Sequence, residues 1–318
     1  MNPAGVLVTG SSGYLGSQVV AALAARGDID VVALDLREPA QRLSGAIYET
    51  ADIRAAEVDA IVGRHQPRVV VHLASIVTPG RQSNREFEFS VDVGGTRNLL
   101  EACLSHHVKR VIVSSSGAAY GYHADNPEWL TEADPVRGNF SFAYSWHKGL
   151  VEEMLAEYRV SQPQLEQVIF RIGTILGASV RNQITDLFEK PRLIAIRGSE
   201  SPFVFIHDRD VVGAIVRAVD SPVTGIFNVA GDGKLTIHEI AARLGKPCVA
   251  LPAGLLMAAL RLLKPVGLTQ YGPEQVDFLR YRPVLDNRRL KEEFGYVPRL
   301  SSAEVFDRWR ESRGSLAP

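Results

Sequence analysis

The sequence predicts an α/β protein, a doubly wound parallel sheet with a smaller C-terminal substrate lobe, and three observations carry that expectation. A short apolar run from Gly5 to Thr9 meets glycines at 10, 13 and 16 and passes into an alanine-rich helical pattern over Ser17 to Arg26. Strand-length apolar runs then alternate with helical spacing as far as Ile172. An acidic residue, Asp35, closes the second apolar run, Val31 to Leu34. Such alternation implies right-handed crossovers and ligands at the carboxyl ends of the strands.

The elements follow in order. In Val8-Thr9-Gly10-Ser11-Ser12-Gly13-Tyr14-Leu15-Gly16, Gly10 makes the turn out of the strand. Gly13 admits a pyrophosphate to the backbone, and Gly16 packs the new helix, whose N-terminus faces the anion. Asp35 then binds ribose hydroxyls and disfavours the 2'-phosphate of NADP, with Arg37 softening the preference, so NAD is expected ahead of NADP. A third strand is predicted near Ala46 to Thr50, and a helix from Asp52-Ile53-Arg54 towards His65, ended by Pro67. Val69 to Ala74 reads as a strand covered on both faces, Phe87 to His106 as a helix and Arg110 to Ser114 as a strand. Residues 121–142 form a long loop, of the kind that usually carries function. Beyond it a helix over Ala143 to Val160 and a strand over Val168 to Ile172 are predicted, then a strand at Phe205 running into a helix, and Ile226 to Val229 returning to the main sheet. The dinucleotide domain is placed at 1–172 plus 203–232 and the substrate lobe at 173–202 plus 233–318.

Composition narrows the partners. Apolar residues make up 46% and charged residues 22% of the 318, with a net charge of -1 and no basic block, which argues against nucleic acid or an acidic membrane surface. Two cysteines, Cys103 and Cys248, lack metal-ligand spacing; no metal site is expected, and a cytoplasmic setting is. The first strand opens close to Met1, leaving no room for a secretory leader. The most apolar stretch, Leu255 to Leu263, contains Arg261 and lies between Pro252 and Pro265, so it cannot span a bilayer. A core or lid helix is expected there, with a surface-docking helix as the alternative.

Tyr144 and Lys148 stand at i and i+4 on one helical face, after a strand ending Ser114-Ser115-Ser116. A free phenol is a poor acid or base at neutral pH, and a neighbouring ammonium favours the phenolate. Tyr144 is therefore expected to move a proton on or off a substrate oxygen, Lys148 to tune it and hold the nicotinamide ribose, and a serine hydroxyl to donate to the same oxygen.

With these pieces in place the chain resembles the extended short-chain dehydrogenase/reductases, of the NAD-dependent epimerase/dehydratase type, over nearly its whole length. The glycine turn, Asp35, Asp52-Ile53, His72-Leu73-Ala74, residues 93–100, Ser114 to Ser116, Tyr120-Gly121, Tyr144 to Lys148, and Phe205-Ile206-His207 with Asp210 carry the likeness. It implies a Rossmann-like domain and a homodimer. It selects Ser116 as the catalytic hydroxyl, sets Asp52 and Ile53 beside the adenine, and has Leu73, Ala74 and Ser75 line the cofactor, together with Ser12, Tyr14 and Leu15 of the turn.

The departures concern substrate. Gly117 and Ala118 stand where sugar-nucleotide dehydratases carry Asp-Glu, which argues against dehydration. Gly173 and Phe203 replace an asparagine and a diphosphate-binding arginine of the nucleotide-sugar epimerases, and neither side chain can bind a diphosphate. Arg81, Arg85, Arg181, Arg280 and Arg282 are the candidate substitutes. Val77, Gly117, Tyr122 and His123 are placed at the substrate, as are Trp146, Gly173 and Phe203. Aromatic loops, which also hold Trp129, Phe140 and Phe142, suit a less charged small molecule. The expected activity is NAD-dependent hydride transfer at an alcohol or carbonyl carbon of a small non-nucleotide substrate. The alternatives are a nucleotide-sugar 4-epimerase using NAD transiently, and a non-catalytic dinucleotide-binding protein. His72 reads as a satisfied core histidine, Asp208 and Asp210 as helix caps, and Arg171 as either a loop anchor or a substrate contact.

Overall fold

The computed structural model describes residues 5–39, 41–77, 84–265, 272–273 and 275–314. In chain order, β1 (Val6–Thr9), α1 (Tyr14–Ala24), β2 (Val31–Asp35), β3 (Ala46–Thr50), α2 (Glu57–His65) and β4 (Val69–His72) build the first half of the main sheet. Helices α3 (Arg85–Phe89) and α4 (Gly95–Ser105) are joined by one π-helical stretch, Ser90–Gly94, so the predicted single helix is continuous but locally widened. After β5 (Arg110–Ser116) comes a short 3-10 turn, Gly117–Tyr120, and then the long loop. Next are α5 (Ala143–Ser161), β6 (Glu166–Ile172), β7 (Thr174–Leu176), α6 (Gln183–Glu189), β8 (Leu193–Ile196), β9 (Phe205–His207), α7 (Asp208–Asp220) and β10 (Gly225–Val229). The chain ends with α8 (Ile237–Leu244), β11 (Cys248–Leu251), α9 (Ala253–Leu263), α10 (Gln275–Arg280), α11 (Arg288–Glu292) and α12 (Ser302–Gly314).

Seven strands form one parallel sheet in the order β10-β6-β5-β4-β1-β2-β3. The strand order reverses at β1, with β2 on one side and β4 on the other. That reversal opens a crevice beyond the carboxyl ends of β1 and β4, where a doubly wound sheet binds its ligand. Both faces are apolar. Val6 and Val8 enter one core with Val19, Leu23 and Phe170, while Leu7 enters the opposite core with Val70, Leu99 and Val111. This is why the strands read as continuous apolar runs. A third core, around Phe188, Phe205, Phe306 and Trp309, ties α6 and α12 to the small parallel sheet β7-β9. The second small sheet pairs β11 with β8.

One expectation is corrected here. The apolar stretch at 255–263 is indeed helical, but none of α9 is buried, and Leu255 and Leu262 are 59% and 74% exposed. It is not a core helix: neither sheet face reaches it, because both are already covered by the helices that connect the strands. Among the described residues no helix is long and apolar enough to cross a membrane.

Candidate active site

Everything converges on the crevice at the reversal of strand order. Gly10 adopts φ +68°, and a Cβ there would lie 2.7 Å from the Ala74 nitrogen and 2.8 Å from the Leu73 carbonyl carbon. Only glycine lets β1 turn so close to the end of β4. A Cβ on Gly16 would stand 2.0 Å from the Gly10 carbonyl oxygen, so α1 starts against the turn with no room for a side chain. The Ser12 N–H donates to Asp35 Oδ2 at 3.0 Å and the Arg37 N–H to Oδ1 at 3.0 Å, which seats the carboxylate against the glycine turn. The Tyr14 hydroxyl donates to Asp208 at the head of α7.

Asp52 pairs with Arg54 at 2.5 Å, and that partner holds its carboxyl below the usual range. Ile53 packs on Gly95, and the Asn98 amide donates to the Ile53 and Ala55 carbonyls at 2.8 and 2.9 Å. Asn98 thus fixes the segment after β3, a role that sequence reading did not single out.

A cavity of about 530 Å³ runs from this turn into the C-terminal part of the chain. Gly10, Gly13, Tyr14, Leu15 and Gly16 line one end, with Leu73, Ser75 and Val77 beside them. Ser116, Tyr144 and Lys148 line the middle, and Gly117, Tyr122, Gly173, Phe203 and Arg282 the far end. Ser12, Asp35, Asp52, Ile53 and Ala74 lie outside this lining, around the strand ends. His123 also lies outside it: its Nε2 sits 2.6 Å from the Arg137 carbonyl, tied into the long loop. Trp146 is turned onto Phe140, edge to face at 5.5 Å, with Arg85 3.7 Å above the Phe140 ring. Trp129 carries Lys234 over its ring. Of the loop aromatics, Tyr122 and Phe142 face the cavity. Arg81 falls outside the described residues.

The three serines of β5 differ in what they do with their protons. Ser114 donates to the His72 carbonyl at 3.3 Å and Ser115 to Glu152 at 2.5 Å. Ser116 instead accepts the Ala118 N–H at 3.1 Å, and its hydroxyl pulls the neighbouring Tyr144 phenol towards ionisation. Burial nevertheless dominates, and the phenol is pushed up to about 12, with the negative charge of Asp92 adding to the rise. The expectation that Lys148 would lower it is not met. The ammonium is held on the Ser114 carbonyl at 2.9 Å, sits 5.7 Å from the Tyr144 ring centre, and is itself drawn below the usual lysine range by burial.

Beneath these groups lies a buried network absent from the sequence reading. Asp92 accepts the Ser75 hydroxyl and the Ile76 N–H, both at 2.9 Å, and faces His147 Nδ1 at 3.2 Å. Burial opposes its charge, but the His147 contact, the Lys148 charge and the two donors together hold it below the usual carboxylate range. Its only signal in sequence is an acid at a buried position of the helical stretch, four residues after Glu88 and four before Thr96. His72 bridges Thr9 at 2.8 Å and Thr96 at 2.9 Å, and burial drives it down to about 3, a neutral core histidine. Arg171 is resolved as an anchor: it pairs with buried Glu152 at 2.6 Å and donates to the Tyr120 hydroxyl at 2.8 Å. Asp208 and Asp210 lie in the first turn of α7, Asp210 accepting from Tyr296 at 3.1 Å, and among the described residues no cluster of three metal-ligating side chains occurs.

Comparison with known proteins shows the family and the fold. The model of the NAD dependent epimerase/dehydratase family matches residues 6–230. An uncharacterised protein of Mycobacterium tuberculosis is 27% identical over 318 residues, covering 98% of this chain and 85% of its own. A UDP-glucose 4-epimerase of Erwinia amylovora is 32% identical over 191 residues, 56% of either chain. Among solved structures, a UDP-glucose 4-epimerase of Thermus thermophilus in complex with NAD superposes with a TM-score of 0.74 at 25% identity, over 98% of this chain and 99% of that one. A short-chain dehydrogenase/reductase superfamily protein from Agrobacterium tumefaciens with bound NAD gives 0.74 at 24%, over 98% of each.

Proposed function

We propose, because this chain belongs to the NAD-dependent epimerase/dehydratase family, that it binds NAD along the glycine turn and oxidises or reduces a small alcohol or carbonyl compound at Tyr144. The observation that carries the reading is the single cavity joining Gly10, Gly13 and Gly16 to Ser116, Tyr144 and Lys148. What supports a dinucleotide there is the tightness of the turn: a Cβ at Gly10 would meet the backbone of Leu73 and Ala74 and one at Gly16 the Gly10 carbonyl, so the N-terminus of α1 stays close to the strand ends, with the Asp35 carboxylate beside the turn to accept from a ribose hydroxyl. NAD, when bound, supplies the hydride acceptor or donor.

The chain's own residues manage the oxygen. Tyr144 gives or takes the proton there, and the Ser116 hydroxyl donates to the same atom, stabilising charge as it develops. Lys148, which donates to the Ser114 carbonyl 5.7 Å from the Tyr144 ring centre, would hold a ribose and keep the phenol aligned. The test is absorbance at the NADH band with a panel of small alcohols and carbonyl compounds. Turnover in Tyr144→Phe should fall by about 100-fold or more while NAD affinity stays within about threefold. Equal turnover in the variant would overturn the role of the phenol.

A second reading, a nucleotide-sugar 4-epimerase, is favoured by the similarity to the Erwinia amylovora enzyme. It predicts no net NADH and strong stabilisation by UDP.

A further inference from the structure

Helix α9 is an apolar element that the fold leaves uncovered. Arg261 is its only charged residue, and none of its residues is buried. Leu255, Ala258 and Leu262 stand three and four positions apart on one face, all exposed, with Leu255 at 59% and Leu262 at 74%. Leu263 widens this stripe. A helix that faces water ordinarily carries polar residues on its outer side, and one that is apolar all round is ordinarily enclosed. On its inner side α9 packs against α10, which carries Phe278 of the cavity lining. The outer stripe has no such neighbour among the described residues.

The net charge of -1, which argues against an acidic membrane for the chain as a whole, does not describe this segment. From Pro247 to Pro265 the sequence holds Arg261 and Lys264 and no acid. Exposed Arg197 adds a third cation where α9 begins: its N–H donates to the Leu251 carbonyl at 2.8 Å, one residue before Pro252 caps the helix. A second copy seated face to face on α9 would set these cations against their own kind, with no acid of the segment to offset them. An anionic lipid surface satisfies both features, because its headgroups attract the cations while the acyl boundary takes up the leucines. The helix is about 16 Å long, too short to cross a bilayer but long enough to lie in its surface.

We propose that α9 docks this protein on an anionic lipid surface. The helix lies in the plane of the interface, with Leu255, Ala258 and Leu262 at the acyl boundary and Arg261 and Lys264 among the headgroups. The docking stands apart from the activity proposed above, since α9 contributes no residue to the cavity lining. Through α10 it brings the substrate end of that cavity next to the lipid-bound helix.

The test is flotation of the full chain with phosphatidylcholine vesicles, with and without about 30% phosphatidylglycerol. Anionic vesicles should carry about fivefold or more protein than neutral ones, and raising salt from about 0.1 to about 0.5 M should cut that binding by about threefold. Leu255→Glu and Leu262→Glu should each lower binding by about fivefold or more. Val160→Glu, at an apolar side chain 85% exposed on α5, should bind as the wild type does. Urea unfolding reports that each variant is folded. Should a glutamate variant not fold, Leu255→Ser and Leu262→Ser, which add no charge, carry the same comparison. The proposal is overturned if the wild type does not float with anionic vesicles, if neutral vesicles carry as much, or if folded α9 variants still bind. It is equally overturned if Val160→Glu abolishes binding, or if sedimentation shows a vesicle-free dimer that Leu262→Glu dissociates, which would make a second copy the cover.

Discussion

Replacing Gly16 by alanine should separate cofactor binding from folding. The new Cβ would stand 2.0 Å from the Gly10 carbonyl oxygen, 2.8 Å from the Gly10 carbonyl carbon and 2.9 Å from the Ser11 Cα, all backbone atoms that no rotamer change can move aside. Reaching even 3.0 Å, the limit below which real Cβ contacts essentially never come, needs α1 to retreat from the turn by about 1 Å. A hydrogen bond from the turn to a phosphate, ordinarily about 2.9 Å, would stretch past its useful range. Losing two charge-assisted bonds at about 1.5–3 kcal/mol each gives about 3–6 kcal/mol, or roughly two to four orders of magnitude in NAD affinity. The overpacking itself should cost about 1–3 kcal/mol of stability. The control is Gly254→Ala in exposed α9, where a Cβ meets nothing within 4 Å. That variant should bind NAD normally and gain up to about 1 kcal/mol from helix propensity. Calorimetric titration with NAD and urea unfolding of the three proteins read both quantities. A Gly16→Ala affinity within about threefold of wild type would refute the cradle geometry.

Two further outcomes follow from buried charge. His72, held at about 3 against an ordinary 6.5, is neutral in the fold, so its contribution is complete above pH 6.5 and is lost as pH falls towards 3, where the unfolded chain alone takes the proton. Between pH 6.5 and 5 this amounts to about 2 kcal/mol; the unfolding free energies of wild type and His72→Asn from urea titrations should diverge by that much over this range, and parallel pH profiles would disprove it. Glu152→Gln should cost about 3–5 kcal/mol by leaving Arg171 without its buried partner, whereas Glu152→Met combined with Arg171→Met should cost less than the single change. A single-variant loss below about 1 kcal/mol in chemical denaturation would show that the pair does not anchor the long loop.

Much of the fold was legible because its signals are local. Apolar runs such as Val69 to His72 mark parallel strands, and the glycine turn announces itself within nine residues. What escaped were properties set by burial and distance. Lys148 at i+4 from Tyr144 suggested a lowered phenol pKa, yet spacing says nothing of the desolvation that pushes it to about 12. The Asp92 network joins residues from three separate stretches, and nothing in the spacing of Ser75, Asp92 and His147 predicts their meeting. The exposure of α9 is likewise a matter of which surfaces remain uncovered once the sheet faces are taken.

The same contrast divides the site itself. The cofactor end is built from one continuous turn with a carboxylate that closes the next strand, so sequence order nearly coincides with spatial order. At the far end the rings of Phe203 and Phe278 lie 3.9 and 4.4 Å from the guanidinium of Arg282, and a Cβ on Gly117 would stand 3.2 Å from the Leu285 methyl groups. Those partners are separated by 75 or more positions in two of the three pairings, and each looks ordinary alone. Phe203 read in isolation signals only the loss of an anion-binding side chain. With Arg282 lying 3.9 Å over it, the same ring helps to keep one positive charge in an apolar wall. A single substitution at either member of the Phe203–Arg282 stack should therefore alter which molecules bind without disturbing the glycine turn.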